Sequence, residues 1–198
     1  MALGPRYRIT IRRRREGKTN YRKRLKLILS GKLRLVIRTT LKSTIVQIVD
    51  SHLKGDKIII QAHSSHLKKN FNWKYNTGNM PSAYLTGYLC GIKARKSDIK
   101  ECILDLGVCI HKNRVLSAFR GFLDASNINV PYDEKFFEKS HLEDRITGVH
   151  IKNYAEYLKK NNKEKYEKIF SEYIKNKVDP TKIVDDFNSI KTKIAKSI

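Results

Sequence analysis

The 198-residue chain carries 42 Lys+Arg against 19 Asp+Glu, a formal charge of +23 with a pI near 10. Such an excess says little about fold and points to a polyanionic partner. With 40% hydrophobic and 31% charged residues the chain is not wholly disordered, and its length suits one or two domains. No run approaches the roughly 20 apolar residues of a membrane-spanning helix, so no membrane partner is expected. The first twenty residues hold arginines where a signal peptide needs an apolar stretch. Cys90, Cys102 and Cys109 are odd in number and form no CxxC, which predicts reduced thiols in an intracellular compartment.

The charge is uneven. Residues 1–42 hold 15 basic residues and a single acid, Glu16, whereas residues 131–198 hold 15 basic and 12 acidic residues. Up to Lys18 there are too few apolar side chains to pack, and Arg12, Arg13, Arg14 and Arg15 repel one another unless counter-charges arrive. Two readings follow: a solvated basic tail, or an arm that orders on nucleic acid. Arginine predominates over lysine here, and guanidinium groups bind phosphates bidentately and stack on bases, which favours the second.

Thr19 or Asn20 is placed to cap a helix with Tyr21, Leu25, Ile28 and Leu29 on one stripe and Gly31 as its stop. Arg22, Lys23 and Lys26, with Arg24 at the flank, form its cationic face. Three runs rich in Ile, Val and Thr, at 33–40, 43–50 and 57–64, predict antiparallel strands. In the first, Leu33, Leu35 and Ile37 alternate with Arg34, Val36 and Arg38. Leu41-Lys42 is the tip of the first hairpin, and 51–56 the second connection. The stretch HLKKNFNWKYNTGNMP is polar, aromatic and irregular. Pro81 suits the first turn of a following helix, in which Gly87 and Gly91 each cost about 1 kcal/mol relative to alanine and would permit another backbone to approach closely. Residues 102–108 predict a short buried strand and 115–125 a helix with Val115, Phe119, Phe122 and Leu123 inward. The fold class is therefore α/β: a mixed sheet with flanking helices, a basic N-terminal arm and a helical C-terminal extension.

The division expected is 1–31 for the basic arm and helix, 32–131 for the mixed-sheet core and 132–198 for the charged helical extension. In the last, Ile151, Tyr154 and Leu158 form one stripe, and Tyr166, Ile169, Phe170, Tyr173 and Ile174 a second. Asp179-Pro180 starts a third helix with Ile183, Phe187, Ile190 and Ile194. The stripes are narrow and predict helices that need a partner surface.

Signals for catalysis are weak. A two-metal nuclease needs several converging carboxylates; Asp50 and Asp105 lie on strands, but no third partner is evident. Cys109 and His111 are two apart and Cys102 stands alone, so no structural metal is expected. No phosphate-binding loop, dinucleotide fingerprint or GxSxG appears, so neither cofactor nor small-molecule substrate is expected. The segment 62–79 joins His63, Ser64, Lys68, Lys69, Phe71, Trp73 and Asn79, a mixture of cations and aromatics suited to looped RNA. Alternatively, Phe71 and Trp73 plug the core beneath the loop.

The stretches RRRREGKTNYRKRLKLILSGKLRLVIRTT, IVQIVD, GDKIIIQAHSSHLKK, TGNMPSAYLTGYLCGIKA, ILDLG, RVLSAFRGFLDA and VPYDE follow in order over about residues 5–135. Together they resemble the archaeal-type large-subunit ribosomal protein L-eighteen family, relatives of the eukaryotic 5S rRNA-binding ribosomal protein L-five. The resemblance implies a cytoplasmic, ribosome-bound protein with no enzymatic activity. It implies 5S rRNA as ligand, a place in the central protuberance, and 23S rRNA and neighbouring ribosomal proteins as partners. The RNA-facing candidates it implies are the stretch with Arg15, Lys18, Tyr21, Arg22 and Arg24, the hairpin tip with Thr40, Lys42 and Ser43 beside Arg38, and the loop from His63 to Asn79. Two alternatives stay open: a metal-dependent nuclease on structured RNA using Asp50 and Asp105, and a protein-binding scaffold acting through the C-terminal helices.

Overall fold

A computed structural model describes residues 4–109, 113–137 and 142–197. The arm contains a one-turn helix, α1 (Arg12–Arg15), and is followed by α2 (Tyr21–Leu29). Strands β1 (Arg34–Thr39), β2 (Thr44–His52), β3 (Gly55–His63) and β4 (Ile103–Asp105) form one sheet in the order β3-β2-β1-β4. β2 runs antiparallel to both β1 and β3, whereas β4 joins β1 in parallel. The mixed α/β architecture is the one the element pattern predicts. Between β3 and β4 the chain makes α3 (Ser64–Phe71) and α4 (Met80–Arg95), and α5 (Asn113–Ala125) follows β4. Helix α4 packs against β2 and β3, and α5 against β1. The core between them holds Leu35, Ile37, Val46, Ile48, Leu85, Leu89, Phe119 and Phe122, all at most 2% exposed.

Glycine spacing brings α4 and α5 into backbone contact. A methyl at Gly87 would overlap the Ala118 carbonyl, one at Gly121 would overlap the Tyr84 carbonyl, and one at Gly91 would lie 2.7 Å from the Ala125 Cβ. The close approach expected of Gly87 and Gly91 is therefore present, with Gly121 as the matching gap on the other helix.

Three local expectations are corrected. The strand expected at 102–108 pairs only over Ile103–Asp105: Gly107 has φ +62°, and its N–H donates to the Asp105 carboxylate in a tight turn. The strands of the second hairpin run on to His52 and restart at Gly55, leaving a turn of two residues where 51–56 were expected to connect. The stretch expected to be irregular begins with α3. Here His63 Nδ1 accepts from Ser65 N–H, while His66 Nδ1 accepts from the His63 N–H, a capping box built from two histidines.

Helices α6 (Leu142–Thr147), α7 (Val149–Asn161), α8 (Lys163–Ile169), α9 (Ser171–Lys175) and α10 (Ile183–Lys196) complete the chain. The stripe expected from Tyr166 to Ile174 breaks at Phe170, which turns inward against Ala155 and Leu158. On α10, Ile183, Phe187, Ile190 and Ile194 are buried in the same core as the sheet. The partner surface these helices need is thus the core itself, reached through α4 and α3. Tyr75 ties the junction, its hydroxyl donating to the Asp186 carboxylate (2.9 Å) and the Asp179 carbonyl (3.2 Å). Among the described residues no helix is long and apolar enough to cross a membrane.

Tyr75 and Tyr84 are held strongly in the neutral form: burial comes first, and the carboxylates of Asp186 and Asp124 that accept their hydrogen bonds come second. A phenol whose pKa is raised by folding lends stability that is complete below its unfolded value near 10 and is lost as pH rises beyond it. Asp56 and Asp105 have folded values below the ordinary carboxylate value. Their contribution is complete above about pH 4 and is lost as pH falls through the folded values. Urea midpoints measured from pH 3 to pH 11 should show a plateau between about pH 5 and pH 9, falling on both sides. A midpoint that keeps rising beyond pH 10 would contradict the tyrosine assignment.

Candidate nucleic-acid interface

The arm lies outside the core. From Gly4 to Lys18 every residue is exposed, and the contacts of α1 are local: Arg12 with Glu16, Lys18 with Glu16 (2.7 Å), and Arg13 Nε to Thr19 Oγ1 (2.9 Å). One acid among so many cations leaves the four arginines of α1 facing water at high local charge. Asn20, one of the two expected caps, accepts from the Lys23 N–H and starts α2.

Helix α2 sits differently from its expected stripe. Tyr21, Arg24 and Leu27 are its half-buried positions, whereas Leu25 (56% exposed) and Leu29 (75%) face solvent. The cause is a charge network rather than an apolar face. Arg24 grips both oxygens of Asp56 at 2.9 Å, and Asp56 also accepts from Arg34 at 2.7 Å. Arg34, 1% exposed, reaches Asp105 with its other nitrogen at 2.9 Å, and Asp105 in turn holds Arg38 at 2.9 Å. Two carboxylates from β3 and β4 thus bridge three guanidiniums from α2 and β1. For Asp105, burial pushes the carboxyl up, and Arg38, the Gly107 N–H and Arg34 outweigh it. For Asp56, Arg24 and Arg34 likewise outweigh burial. The network also corrects the simple alternation expected on β1, where Arg34 to Ile37 are all buried.

Between the arm, α2 and the end of β1 lies a cleft of about 380 Å³ bordered by Arg13, Lys18, Lys23 and Arg38, with Tyr21 and Leu27 as apolar walls. Arg38 reaches it while anchored, its guanidinium donating to the Ile37 and Asp105 carbonyls and lying against Gly107.

Beyond Arg38 the first hairpin tip is stiff. The Thr40 N–H donates to the Ser43 carbonyl, and the two hydroxyls are 2.7 Å apart. Thr77 donates to the Lys42 carbonyl at 2.7 Å, and Arg114 donates to the carbonyls of Thr40, Leu41 and Gly78. The tip and the loop at 76–79 are therefore brought together, with Lys42 exposed at the join. Arg114 was not among the expected site residues; it is the clamp.

Four candidates of the 63–79 segment have structural partners within the chain. Trp73 is 2% exposed and its indole N–H donates to the Asn76 carbonyl, so it plugs the core and offers no face for stacking. Ser64 is fully buried, accepting from the Thr44 N–H. His63 caps α3, and Asn79 caps α4 by accepting from the Ser82 N–H. Lys68 and Lys69 are exposed on α3, and Arg22 is exposed on α2.

Asp50 and Asp105 do not converge on one site. Asp50 pairs with His52 on β2, Asp105 is committed to arginines on β4, and β1 lies between them. Among the described residues no three His, Cys, Asp or Glu side chains are placed to share a metal ion. His111 lies outside the described residues. Burial pushes the Cys90 and Cys102 thiols up to about 12, so they are inert core groups.

The arrangement is a cationic arm, a cationic cleft beside α2 and the end of β1, and a basic hairpin tip held by Thr77 and Arg114. A profile of the family described as ribosomal large subunit proteins 60S L5 and 50S L18 matches residues 5–101. The protein named large ribosomal subunit protein uL18 from Sulfurisphaera tokodaii is 43% identical over 196 residues, which cover 98% of this chain and 97% of that relative. The chain belongs to this L5/L18 family. Membership makes it a ribosomal protein of the large subunit with a structural role, bound to the ribosome among rRNA and other ribosomal proteins. The matched region spans the arm, α2, the three long strands, α3 and α4, so it includes the hairpin tip, the 63–79 segment and the cleft residues from Arg13 to Arg38, but not the Asp105 and Gly107 wall.

Proposed function

We propose that the chain binds 5S rRNA and anchors it in the central protuberance of the large subunit, touching 23S rRNA and neighbouring ribosomal proteins there. The observation that carries this reading is the exposed arm, whose Arg12 to Arg15 find one acid, Glu16, and adjoin a cleft already lined by cations. Arg12, Arg13, Arg14, Arg15 and Lys18 neutralise crowded phosphates. Arg22 adds a phosphate contact from α2, while Arg24 acts through Asp56 to fix the helix. Lys42 at the tip and Lys68 and Lys69 on α3 extend the contact along the sheet end. Specificity comes from RNA shape and unpaired bases more than from groove readout.

Neutralisation of about ten phosphates gives a plot of log affinity against log salt with a slope of about −7 to −9. Filter binding of the full chain to 5S rRNA between 50 and 400 mM KCl measures it. A flat dependence, or equal affinity for heparin, contradicts the proposal and favours a protein scaffold.

A further inference from the structure

The surface arginines of α1 account for phosphates on the outside of an RNA, but they leave the adjoining cleft unexplained. Its volume of about 380 Å³ is that of a site for one small group. Cations line its rim, and Tyr21 and Leu27 offer an apolar wall. The carboxylate in that wall, Asp105, does not repel an anion: its oxygens accept from Arg34, Arg38 and the Gly107 N–H. Arg38 is preorganised, because the Ile37 and Asp105 carbonyls fix its guanidinium and Gly107 leaves room for it: a Cβ at 107 would stand 2.9 Å from its Cζ. A stacked helix presents only its backbone and groove edges to such a recess, so what fills an apolar wall behind a cationic rim is a base that has left the stack.

We infer that the cleft receives a single unstacked nucleotide of the bound RNA, its phosphate held by Arg38, Arg13 and Lys18 and its base laid against Tyr21. The inference rests on the RNA-binding reading above and adds a site to it. Tyr21 on the first turn of α2 supplies the aromatic face, and the Arg24–Asp56 pair keeps that turn against the sheet. The arm contributes the affinity and its salt dependence; the cleft contributes selection for an RNA with an extrahelical base at the right place.

The test uses the full chain and 5S rRNA, with Tyr21→Ala, Tyr21→Leu and Tyr21→Phe. Loss of one base stack lowers affinity about 10- to 100-fold for the alanine and leucine variants while leaving the salt slope unchanged. The phenylalanine variant binds like the unaltered chain. Acylation of the RNA 2′-hydroxyls shows one nucleotide whose reactivity changes with the unaltered chain and with Tyr21→Phe, and does not change with Tyr21→Leu. Leucine keeps the apolar volume, so a melting temperature equal to that of the unaltered chain separates stacking from folding. If Tyr21→Leu binds and footprints as the unaltered chain does, the pocket assignment is overturned while RNA binding stands. If free adenosine or guanosine monophosphate competes at the concentration at which 5S rRNA binds, the cleft is a small-molecule site and the assignment is likewise overturned. Absence of RNA binding by the unaltered chain defeats the underlying reading instead.

Discussion

Gly87→Ala lowers the melting temperature by about 6–12 °C, the shift expected from a loss of about 3 kcal/mol in a chain of this size. Elsewhere in a helix the exchange would gain about 1 kcal/mol of helix propensity. Here the added methyl meets the Ala118 carbonyl of α5, which is backbone and has no rotamer to yield, so the two helices must separate. Gly121→Ala strikes the Tyr84 carbonyl from the opposite side and behaves alike. Gly17→Asn is the control. Its φ of +64° suits asparagine and a Cβ there meets nothing within 4 Å, so the change stays within about 0.5 kcal/mol. Thermal melts followed by circular dichroism separate these cases; a Gly87→Ala melt within 1 °C of the unaltered chain, taken as roughly the error of a melt, would show that the helices are not in backbone contact.

Deletion of residues 1–18 has the largest expected effect on binding and almost none on folding. The segment holds seven basic residues, Arg6, Arg8, Arg12 to Arg15 and Lys18. Removing them costs about 100- to 1000-fold in affinity for 5S rRNA near physiological salt and flattens the salt slope by several units. All its described residues are exposed and its hydrogen bonds stay within the arm or reach only Thr19, so the melting temperature moves by no more than about 2 °C. Paired measurements of affinity and melting decide the matter. A core that unfolds on deletion would make the arm structural.

Much of the scaffold could be read from local pattern. Val- and Ile-rich runs gave the three long strands, Asn20 and Pro81 marked helix starts, and Gly87 with Gly91 announced a close helix pair. What stayed hidden was set by partners distant in the chain. The facing of α2 follows from Arg24 meeting Asp56, 32 residues on, so the leucines of its apparent stripe were left in water. The burial of Arg34 depends on carboxylates from β3 and β4. Arg114 clamps Thr40 from 74 residues away, with no local signal to mark it. Within the 63–79 segment, composition alone could not distinguish a stacking aromatic from a core plug, and burial put Trp73 among the plugs. Helix α3 escaped because histidine is an unusual cap. The basic arm was the legible part of the candidate site, since four consecutive arginines allow few structures besides an exposed one.

The most direct measurement is the identity of the RNA that the chain takes from a cell. Affinity capture of the tagged full-length chain from extract, followed by sizing and sequencing of the retained RNA, should yield 5S rRNA as the single enriched small species, and a chain lacking residues 1–18 should lose it. Retention of RNAs in proportion to their abundance, with no enrichment of the 5S species, would contradict the account.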